Sequence, residues 1–422
     1  MSEQNTGPDR PAPRGHREDR PHGRDRGRRG ARRGAAAASA LLVAALAGCS
    51  GADGSGAARL AGPPGRATSA APVPAERGFT LVAGGDVLPH GSVIDRAARD
   101  ADGEGYDFAP MFASVKPMVS AADLALCHME TVYGEEGGPF SGYPAFVSPP
   151  QIAAGLKATG YDGCSTASNH TLDAGAAGVR RTLDAFDRAG LGHAGSARTA
   201  AEAARPRTYT AGTARVAHLA YTYGTNGYPL PEGQPWAVNL TSREKVIADA
   251  RAARKAGADV VLVSLHWGTE WQTEPDATQL SLGKALTASA TGGRPDVDLV
   301  LGTHAHVPQP YEKVNGTWIV YGMGDQIAGQ MFDHAGRYEP RGNQGSLARF
   351  RFEPPARPGE RWRVTRAEYV PTWMDTDAGR LVHLPAALAA DPSRQEAREA
   401  RDAITEAVLG RGAARDGLTA GS

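Results

Sequence analysis

The sequence has no excess of charge of either sign, and it lacks the motifs of several common protein classes. Lysine plus arginine total 46 and aspartate plus glutamate total 46, so the charge does not indicate a nucleic-acid partner. A G-x-S-x-G motif is absent, which argues against a serine-triad hydrolase. Gly84-Gly85-Asp86 does not extend into a G-x-G-x-x-G dinucleotide fingerprint. We also find no internal repeats.

Near the N-terminus the sequence has a short apolar run that follows an arginine-rich head. The run at residues 35–50, AAAASALLVAALAGCS, holds roughly a dozen apolar residues, fewer than the ~20 that a membrane-spanning helix needs. A basic head followed by a short apolar stretch and small residues is typical of an export signal. The stretch ends in Leu46-Ala47-Gly48-Cys49, which resembles a bacterial lipobox, in which the cysteine is lipidated and becomes the mature N-terminus.

We therefore predict a basic n-region and lipoprotein signal at residues 1–49. Lipid on Cys49 would hold the exported protein at the outer face of the cytoplasmic membrane, in the bacterial cell envelope. An ordinary secretory signal with an incidental cysteine, or an uncleaved anchor, are the alternatives. Residues 50–77 are rich in Gly, Ala, Ser and Pro without a core-forming pattern, which predicts a flexible linker.

Cysteine is scarce, with three residues in the whole chain. Cys127 and Cys164 both lie in or beside predicted strands. In an exported protein they could form a disulfide, whereas two separate buried thiols fit the sequence equally well. The sequence leaves both options open.

From residue 78 onward, strand and helix signals alternate, which predicts an α/β fold with mostly parallel central strands. The predicted strands are 79–86, 122–130, 161–170, 214–223, 259–268, 297–306 and 317–325. Predicted helices lie at 148–160, 177–190, 241–258 and near 278–291. The segments LARFRFEP and RWRVTRAEYVPTWM alternate apolar and polar residues, as antiparallel edge strands do. We expect one domain at 78–376, then an Ala/Arg-rich helical or loose tail at 377–422 with a helix at 393–409.

Polar side chains that can bind a metal occur where five of the predicted strands end. In open α/β sheets the carboxyl ends of the strands form the active site, so these residues are expected to converge. Carboxylate, amide and imidazole ligands suit Mn²⁺, Fe or Zn²⁺, and seven positions suit two ions ~4 Å apart. The residues are Asp86, Glu130, Asn169, His170, His266, His304 and His306.

Taken singly, each of these residues has a structural explanation. A lone histidine at a strand end is more often hydrogen-bonded than metal-bound, and we interpret His193 and His218 as structural. Asn169 could belong to a turn, since asparagine is a common turn residue. A His-x-His pair also occurs in metal-dependent amidohydrolase barrels, but it follows the first strand there and one of the last strands here. The metal hypothesis therefore depends on the ordered set.

This ordered set resembles the calcineurin-like metallophosphoesterases, and more closely the CapA family of poly-γ-glutamate capsule synthesis. The matching segments are AGGDVLPHG, ADLALCHMETVYG, SNHTLDAGAAGV, SLHWGTE, GTHAHVPQP and YGMGDQ, roughly residues 79–330. The resemblance implies a four-layer α-β-β-α sandwich with the site at one sheet edge. It also implies divalent metal ligands at Asp86, Glu130, Asn169, His266, His304 and His306.

His170 matches the histidine that protonates the leaving group, and Asp173 is a candidate to orient it. The alternative for Asp173 is an N-cap of the following helix. Further candidates for the substrate pocket are His90, His128, Trp267 and Glu270, although a tryptophan at a strand end is more often in the core.

The sequence departs from the family pattern at three places. Position 88 is leucine, where the phosphoesterases have the histidine of a D-x-H motif, and His90 is a candidate to compensate. His128-Met129-Glu130 replaces Asn-Leu-Glu, and YGMGDQ replaces SLGNF. The loss of one ligand leaves one bound ion or two as open possibilities.

The resemblance implies a metal-dependent hydrolase or polymer-processing protein that acts on an anionic polymer such as poly-γ-glutamate, or on a phosphoester. It would work beside a membrane complex for capsule synthesis or export. The alternative is a non-catalytic assembly or export factor that keeps a degenerate phosphoesterase fold, because fold alone does not fix function.

Overall fold

The computed structural model describes residues 78–357 and 359–422. The predicted signal at 1–49, the lipidation site Cys49 and the linker at 50–77 lie outside these residues. Within them, no helix combines the length and the apolar character needed to cross a bilayer.

The helices and strands alternate along the first two thirds of the described chain. The strands are β1 Phe79–Val87, β2 Leu124–Met129, β3 Val132–Tyr133, β4 Val147–Ser148, β5 Gly163–Ser165, β6 Gly192–Ala194, β7 Arg207–Ala211, β8 Ala214–Thr222, β9 Val260–His266, β10 Ala290–Thr291, β11 Arg294–Pro295, β12 Leu299–Thr303, β13 Tyr311–Val314, β14 Thr317–Val320, β15 Asp325–Ile327, β16 Gln344–Glu353, β17 Arg363–Asp375, β18 Arg380–His383 and β19 Leu418–Ala420. The helices are α1 Gly91–Asp100, α2 Lys116–Ser120, α3 Ile152–Thr159, α4 Gly175–Ala189, α5 Ala200–Ala203, α6 Arg243–Lys255, α7 Ala277–Ala288, α8 Leu384–Ala390 and α9 Gln395–Leu409.

Two mixed sheets form the centre of the molecule. The first has the strand order β18-β17-β16-β1-β2-β5-β6, with β15 also beside β1 and β19 beside β17; the second has the order β13-β14-β12-β9-β8-β7. Strands β1, β2, β5 and β6 are parallel to one another, as are β14, β12, β9 and β8. Parallel strands bring their carboxyl ends to one edge of each sheet.

The alternation of side chains along the strands builds four layers. On the facing sides of the sheets, Leu81 of β1 and Leu262 of β9 share one buried core. Val82, the next residue of β1, packs with α1, α3 and α4 on the outer side of the first sheet. Val263 packs with α6 and α7 on the outer side of the second sheet. The order is therefore helix, sheet, sheet, helix, as the family resemblance implied.

The segment predicted as one strand at 317–325 belongs to both sheets. Thr317–Val320 forms β14 of the second sheet, and Asp325–Ile327 forms β15 of the first. Gly324 lies between them with φ +69°, a conformation that glycine adopts without steric cost. The chain thus crosses from one sheet to the other directly before Asp325.

The C-terminal part of the chain contributes more to the first sheet and to the core than the sequence predicted. β16 lies between β1 and β17, and β17 lies between β16 and β18, so neither is the edge strand that we expected. The fold also continues past residue 376, the predicted end of the domain. Ile404 and Val408 of α9 are buried in the core between the sheets, and β19 pairs with β17.

Cys127 and Cys164 form a disulfide between β2 and β5. The two residues are direct neighbours in the parallel register of these strands. The structure thus selects one of the two options that the sequence left open.

A buried ion pair fixes the start of β12 to β9 and α6. The carboxylate of Asp298 is fully buried, accepts a hydrogen bond from the Val261 amide at 2.8 Å and pairs with the Arg254 guanidinium. We expect Asp298→Ala to lower the free energy of unfolding by about 3–5 kcal/mol, because a guanidinium is left without its partner in the interior. Urea denaturation measures the change. Asp377→Ala, at an exposed position, is the control, and equal stability of the two variants would contradict the prediction.

Candidate metal centre

The predicted ligands lie together where the parallel strands of the two sheets end. Asp86 is near the end of β1, Glu130 directly follows β2, His266 ends β9, and His304 directly follows β12. All four side chains are buried, between 0% and 3% exposed. The centre is thus held by the frame of the two sheets, which limits its freedom to rearrange.

Two glycines allow β1 to approach the segment before β15. A Cβ atom on Gly85 would lie 1.9 Å from the carbonyl oxygen of Gly324, so only glycine fits there. The amide of Asp86 donates to the same carbonyl at 3.0 Å. The Gly-Gly-Asp and Gly-Met-Gly-Asp segments of the sequence therefore form two sides of one close backbone contact.

The His-x-His pair takes an unusual backbone conformation. His304 has φ +95° and His306 has φ +57°, although residues with a Cβ rarely adopt positive φ. The amide of His304 donates to Asp86 Oδ2 at 3.2 Å. Such strain costs on the order of 1–3 kcal/mol per residue and is concentrated at functional sites. It aims both imidazoles at the carboxylates.

Contacts within the cluster join residues from both sheets. His266 Nε2 donates to Asn169 Oδ1 at 2.9 Å and lies 3.6 Å from Glu130 Oε1. His306 Nε2 lies 3.8 Å from the same Glu130 oxygen. Glu130 is therefore placed between the two histidines, as a bridging ligand would be.

Several ligand atoms in the cluster are buried without a hydrogen-bond partner among the described residues. In native proteins such atoms are rare and are often explained by a bound ion or water. The atoms are Asp86 Oδ1, His128 Nε2, Glu130 Oε1 and Oε2, His304 Nδ1 and Asp325 Oδ2. Three triads have ligand atoms within 4.8 Å of one another, namely Asp86-His128-His266, Glu130-His304-His306 and Asp86-His306-Asp325. The donor set is compatible with divalent metal binding.

The electrostatics of the cluster also favour a cation. Burial, together with the charge of Asp325, raises the pKa of Asp86 to about 7. Burial raises the pKa of Glu130 well above its usual range. Although burial opposes it, the carboxylates of Asp325 and Glu130 raise the pKa of His306 well above the ordinary histidine value. Carboxylates crowded in the interior need positive charge nearby in order to stay ionised.

Asp325 is the residue that our sequence interpretation missed. Its carboxylate is fully buried, and His306 Nδ1 donates to its Oδ1 at 2.8 Å. The sequence contained a signal for this residue, since Asp325 lies in the YGMGDQ segment, where the sequence departs from the family pattern. What the sequence did not show is that β15 pairs with β1 and places Asp325 opposite Asp86.

His170 and Asp173 adjoin the ligand cluster. His170 Nδ1 donates to Asp173 Oδ2 at 2.7 Å, and that oxygen also accepts from the Phe146 amide at 2.7 Å. The helix that follows has Ala174 at its N-cap without a side-chain cap. Asp173 therefore contacts the imidazole, and the alternative role as a helix cap is wrong.

The predicted pocket residues have different surroundings. Trp267 is 3% exposed, donates to the Tyr321 carbonyl at 2.9 Å and packs beneath the outer helices, so it does not line a pocket. His128 is 2% exposed, with Nε2 at 3.6 Å from Asp86 Oδ1, so it lies among the ligands. The amide of Gly329 donates to His90 Nδ1 at 3.1 Å, and His90 belongs to none of the three triads.

The exposed rim of the centre includes one predicted residue and two that we did not predict. Glu270 is partly exposed, and its charge is one of those that act, after burial, to raise the pKa of Glu130. The Tyr223 ring is 51% exposed and lies 4.5 Å from the His304 ring. The Trp271 ring lies 5.5 Å from the His306 ring. These three side chains border the way into the cluster.

Comparison with protein families gives a match over residues 80–330 to the family described as Bacterial capsule synthesis protein PGA_cap. The matched region is more than half of the chain and contains every residue of the cluster. The chain belongs to the PGA_cap family. The family assignment agrees with the resemblance that we drew from the ordered motifs.

Curated relatives of this PGA_cap protein match over part of their length. The PGA biosynthesis protein CapA of Bacillus subtilis (strain 168) is 27% identical over 177 residues, 42% of this chain and 44% of that protein. A probable polyglutamine synthesis accessory protein of Mycobacterium tuberculosis (strain ATCC 25618 / H37Rv) is 26% identical over 220 residues, 49% of this chain and 56% of that protein. The chain thus spans about half the length of the curated relatives it matches. Among solved structures, a calcineurin-like phosphoesterase from Bacillus subtilis superposes with a TM-score of 0.39 at 14% identity, over 77% of this chain and 99% of that chain.

The contact between Gly85 and Gly324 can be tested by adding one methyl group. We expect Gly85→Ala to lower the free energy of unfolding by about 1–3 kcal/mol and to weaken metal uptake, because β1 must move away from β15. Urea denaturation and metal analysis after incubation with Mn²⁺ measure the two effects. Gly91→Ala is the matched control, since a Cβ there would meet no atom within 4 Å. Wild-type stability and metal uptake in Gly85→Ala would show that the contact is not required.

Proposed function

We propose that this PGA_cap protein is a metal-dependent hydrolase of the cell envelope, acting on an anionic polymer such as poly-γ-glutamate or on a phosphoester. The observation that carries the proposal is the set of buried ligand atoms without partners, which lies next to the His170–Asp173 pair. A set of metal ligands by itself would be equally consistent with an ion that has only a structural role. A histidine oriented by a carboxylate beside them is an arrangement suited to catalysis.

The residues that would hold the ions are Asp86, Glu130, Asn169, His266, His304 and His306, with His128 and Asp325 close to them. Their mixed carboxylate, amide and imidazole atoms suit Mn²⁺, Fe or Zn²⁺. Divalent ions bound there would polarise the bond to be cleaved and activate water toward attack.

His170 supplies the proton for the leaving group in this proposal. Its Nδ1 is engaged by Asp173, which leaves Nε2 as the nitrogen that can face substrate. The Asp173 oxygen is itself held by the Phe146 amide, and the Phe146 ring meets the imidazole edge-on at 4.8 Å. The imidazole is thus fixed in one orientation before substrate arrives, which lowers the entropic part of the barrier.

The substrate class and the place of action are also part of the proposal. Relatives named for PGA biosynthesis and capsule biosynthesis support an anionic polymer, and the protein would work beside a membrane complex for capsule synthesis or export. The lipobox-like segment supports lipid attachment at Cys49 and a position at the outer face of the cytoplasmic membrane. The disulfide between Cys127 and Cys164 supports export, since disulfides persist in oxidising compartments.

The catalytic role of His170 predicts a separation of activity from metal binding. We expect His170→Ala to lower kcat by about 10²- to 10⁴-fold, the usual contribution of a general acid, with unchanged metal content. Asp173→Asn should cause a smaller loss, because the imidazole remains but its orientation is no longer fixed. Hydrolysis of bis(p-nitrophenyl) phosphate and of poly-γ-glutamate by the Mn²⁺-loaded protein measures the effects, and a chelator should abolish both activities.

The control for these variants is His383→Asn. His383 lies outside the cluster, and its Nδ1 accepts from the Ala386 amide at the start of α8, a capping role that asparagine also fills. Full activity in His170→Ala would contradict the role of general acid. A metal-loaded wild-type protein without turnover, together with normal polymer export by His170→Ala cells, would support the non-catalytic assembly factor instead.

Lipid attachment can be tested separately. We expect Cys49→Ala to lose incorporation of labelled fatty acid and to move from the membrane fraction to the soluble fraction, because one signal for membrane binding is removed. Ser50→Ala is the control. Unchanged labelling and membrane retention in Cys49→Ala would contradict a lipoprotein.

A further inference from the structure

We infer that Asp325 is a metal ligand that replaces the histidine missing at position 88, so that the centre has two complete metal positions. The inference rests on the metal binding that the proposed function requires. It assigns a role to a residue that stands where the sequence departs from its family, and it predicts the number of bound ions.

Leu88 has no ligand atom, and the Nδ1 atom of His90 is already hydrogen-bonded. Leu88 is 3% exposed and packs in a small apolar cluster with Phe146, Ala328 and Met331. His90 Nδ1 accepts from the Gly329 amide, and the ring meets Phe146 edge-on at 5.0 Å. His90 is thus engaged in packing the loop that follows β15. His90, the candidate to compensate, belongs to none of the three groups of ligand atoms.

Asp325 reaches the centre through the pairing of β15 with β1. The two strands are parallel, and Asp325 is the direct partner of Asp86. Residues paired in this way project their side chains from the same face of the sheet. The carboxylates of Asp86 and Asp325 are therefore neighbours, and both are fully buried.

The free atoms of this pair fit a cation. Asp86 Oδ1 and Asp325 Oδ2 are buried and have no hydrogen-bond partner among the described residues. Asp86, Asp325 and His306 can each offer a ligand atom within 4.8 Å of the others. Two carboxylates side by side in the interior repel each other, and a divalent ion between them turns that repulsion into coordination.

A second group of ligand atoms lies beside the first. Glu130 and His304 belong to it, and His306 is shared between the two groups. His266 Nε2 lies 3.6 Å from Glu130 Oε1 and 2.9 Å from Asn169 Oδ1, so these two side chains can complete the second position when His306 serves the first. Glu130, with both oxygens unpartnered, lies where it can serve both positions. Asp325 therefore adds a ligand to the position that contains Asp86, and this is the position that the leucine at 88 would otherwise leave incomplete.

The test is the number of ions bound by Asp325→Asn. Apo-protein is titrated with Mn²⁺, and bound metal is counted by calorimetry and by elemental analysis. We expect about two ions for the wild type, in the spacing of ~4 Å at which two metals act together, and one for Asp325→Asn. Electron paramagnetic resonance should show coupled ions in the wild type and the six-line signal of a single Mn²⁺ in the variant. Asp377→Asn, on an exposed turn, should bind two.

Each other outcome contradicts the inference in a distinguishable way. Two ions in Asp325→Asn with weakened affinity would make Asp325 a positioning residue that holds His306 through its hydrogen bond. One ion in both proteins would overturn the second position and leave a one-metal hydrolase. A wild type that binds no ion would overturn the proposed function as well. Asparagine keeps an acceptor for His306, and circular dichroism of the apo variant shows whether the fold is retained.

Discussion

Three carboxylates buried in one place impose the main constraint on this molecule. Asp86, Glu130 and Asp325 are each 0–1% exposed, and burial raises the pKa of all three. His306 lies beside one of them, with Nδ1 at 2.8 Å from Asp325 Oδ1. Buried charges usually make a protein less stable than apolar side chains of similar volume would. Such crowding of carboxylates therefore points to a role in function. The fold must therefore hold the carboxylates together against their own repulsion.

The rigid part of the fold supplies that restraint. Each carboxylate lies on or directly after a strand of the first sheet, whereas His266, His304 and His306 come from the second sheet or the residues after it. A side chain at Gly85 would collide with the Gly324 carbonyl, so β1 lies in direct backbone contact with the residue before β15. The carboxylates cannot separate unless β1 moves away from β2 and β15 within the first sheet. The hydrophobic core that β1 shares with the second sheet opposes such a movement. Core packing and the geometry of the centre are thus coupled.

The sequence predicts those features that depend on the order of elements along the chain. Alternating strands and helices predicted an α/β fold with mostly parallel central strands, and the family resemblance added the two-sheet architecture. Polar residues at the ends of parallel strands predicted most of the side chains that cluster there. The order of elements did not predict the structure of segment 317–325, which forms strands in both sheets rather than one strand. Its apolar pattern continues across Gly322 and Gly324, and nothing local shows that the chain leaves one sheet for the other there. The role of Asp325 follows only from that crossing.

The other differences between the sequence predictions and the structure also come from contacts between segments that are distant in sequence. Whether β16 lies inside a sheet or at its edge depends on its partners β1 and β17, which are distant in sequence. Alternation of apolar and polar residues is similar in both cases. For His128, the sequence showed a departure from the family pattern but not which way the ring points. Non-local pairing, rather than local propensity, decided each of these outcomes.

The exchange of a histidine for an aspartate has a chemical consequence for the metal. A carboxylate is a harder ligand than imidazole, and carboxylate-rich sites suit Mn²⁺ better than sites dominated by nitrogen. With Asp325 as a ligand, the position that contains Asp86 has two carboxylates, whereas Glu130 and His304 give the other position one carboxylate and one imidazole, and His306 is common to both groups. The two positions would then differ in the ion that each prefers. The departure at Leu88 is therefore a change in the character of the centre rather than a loss.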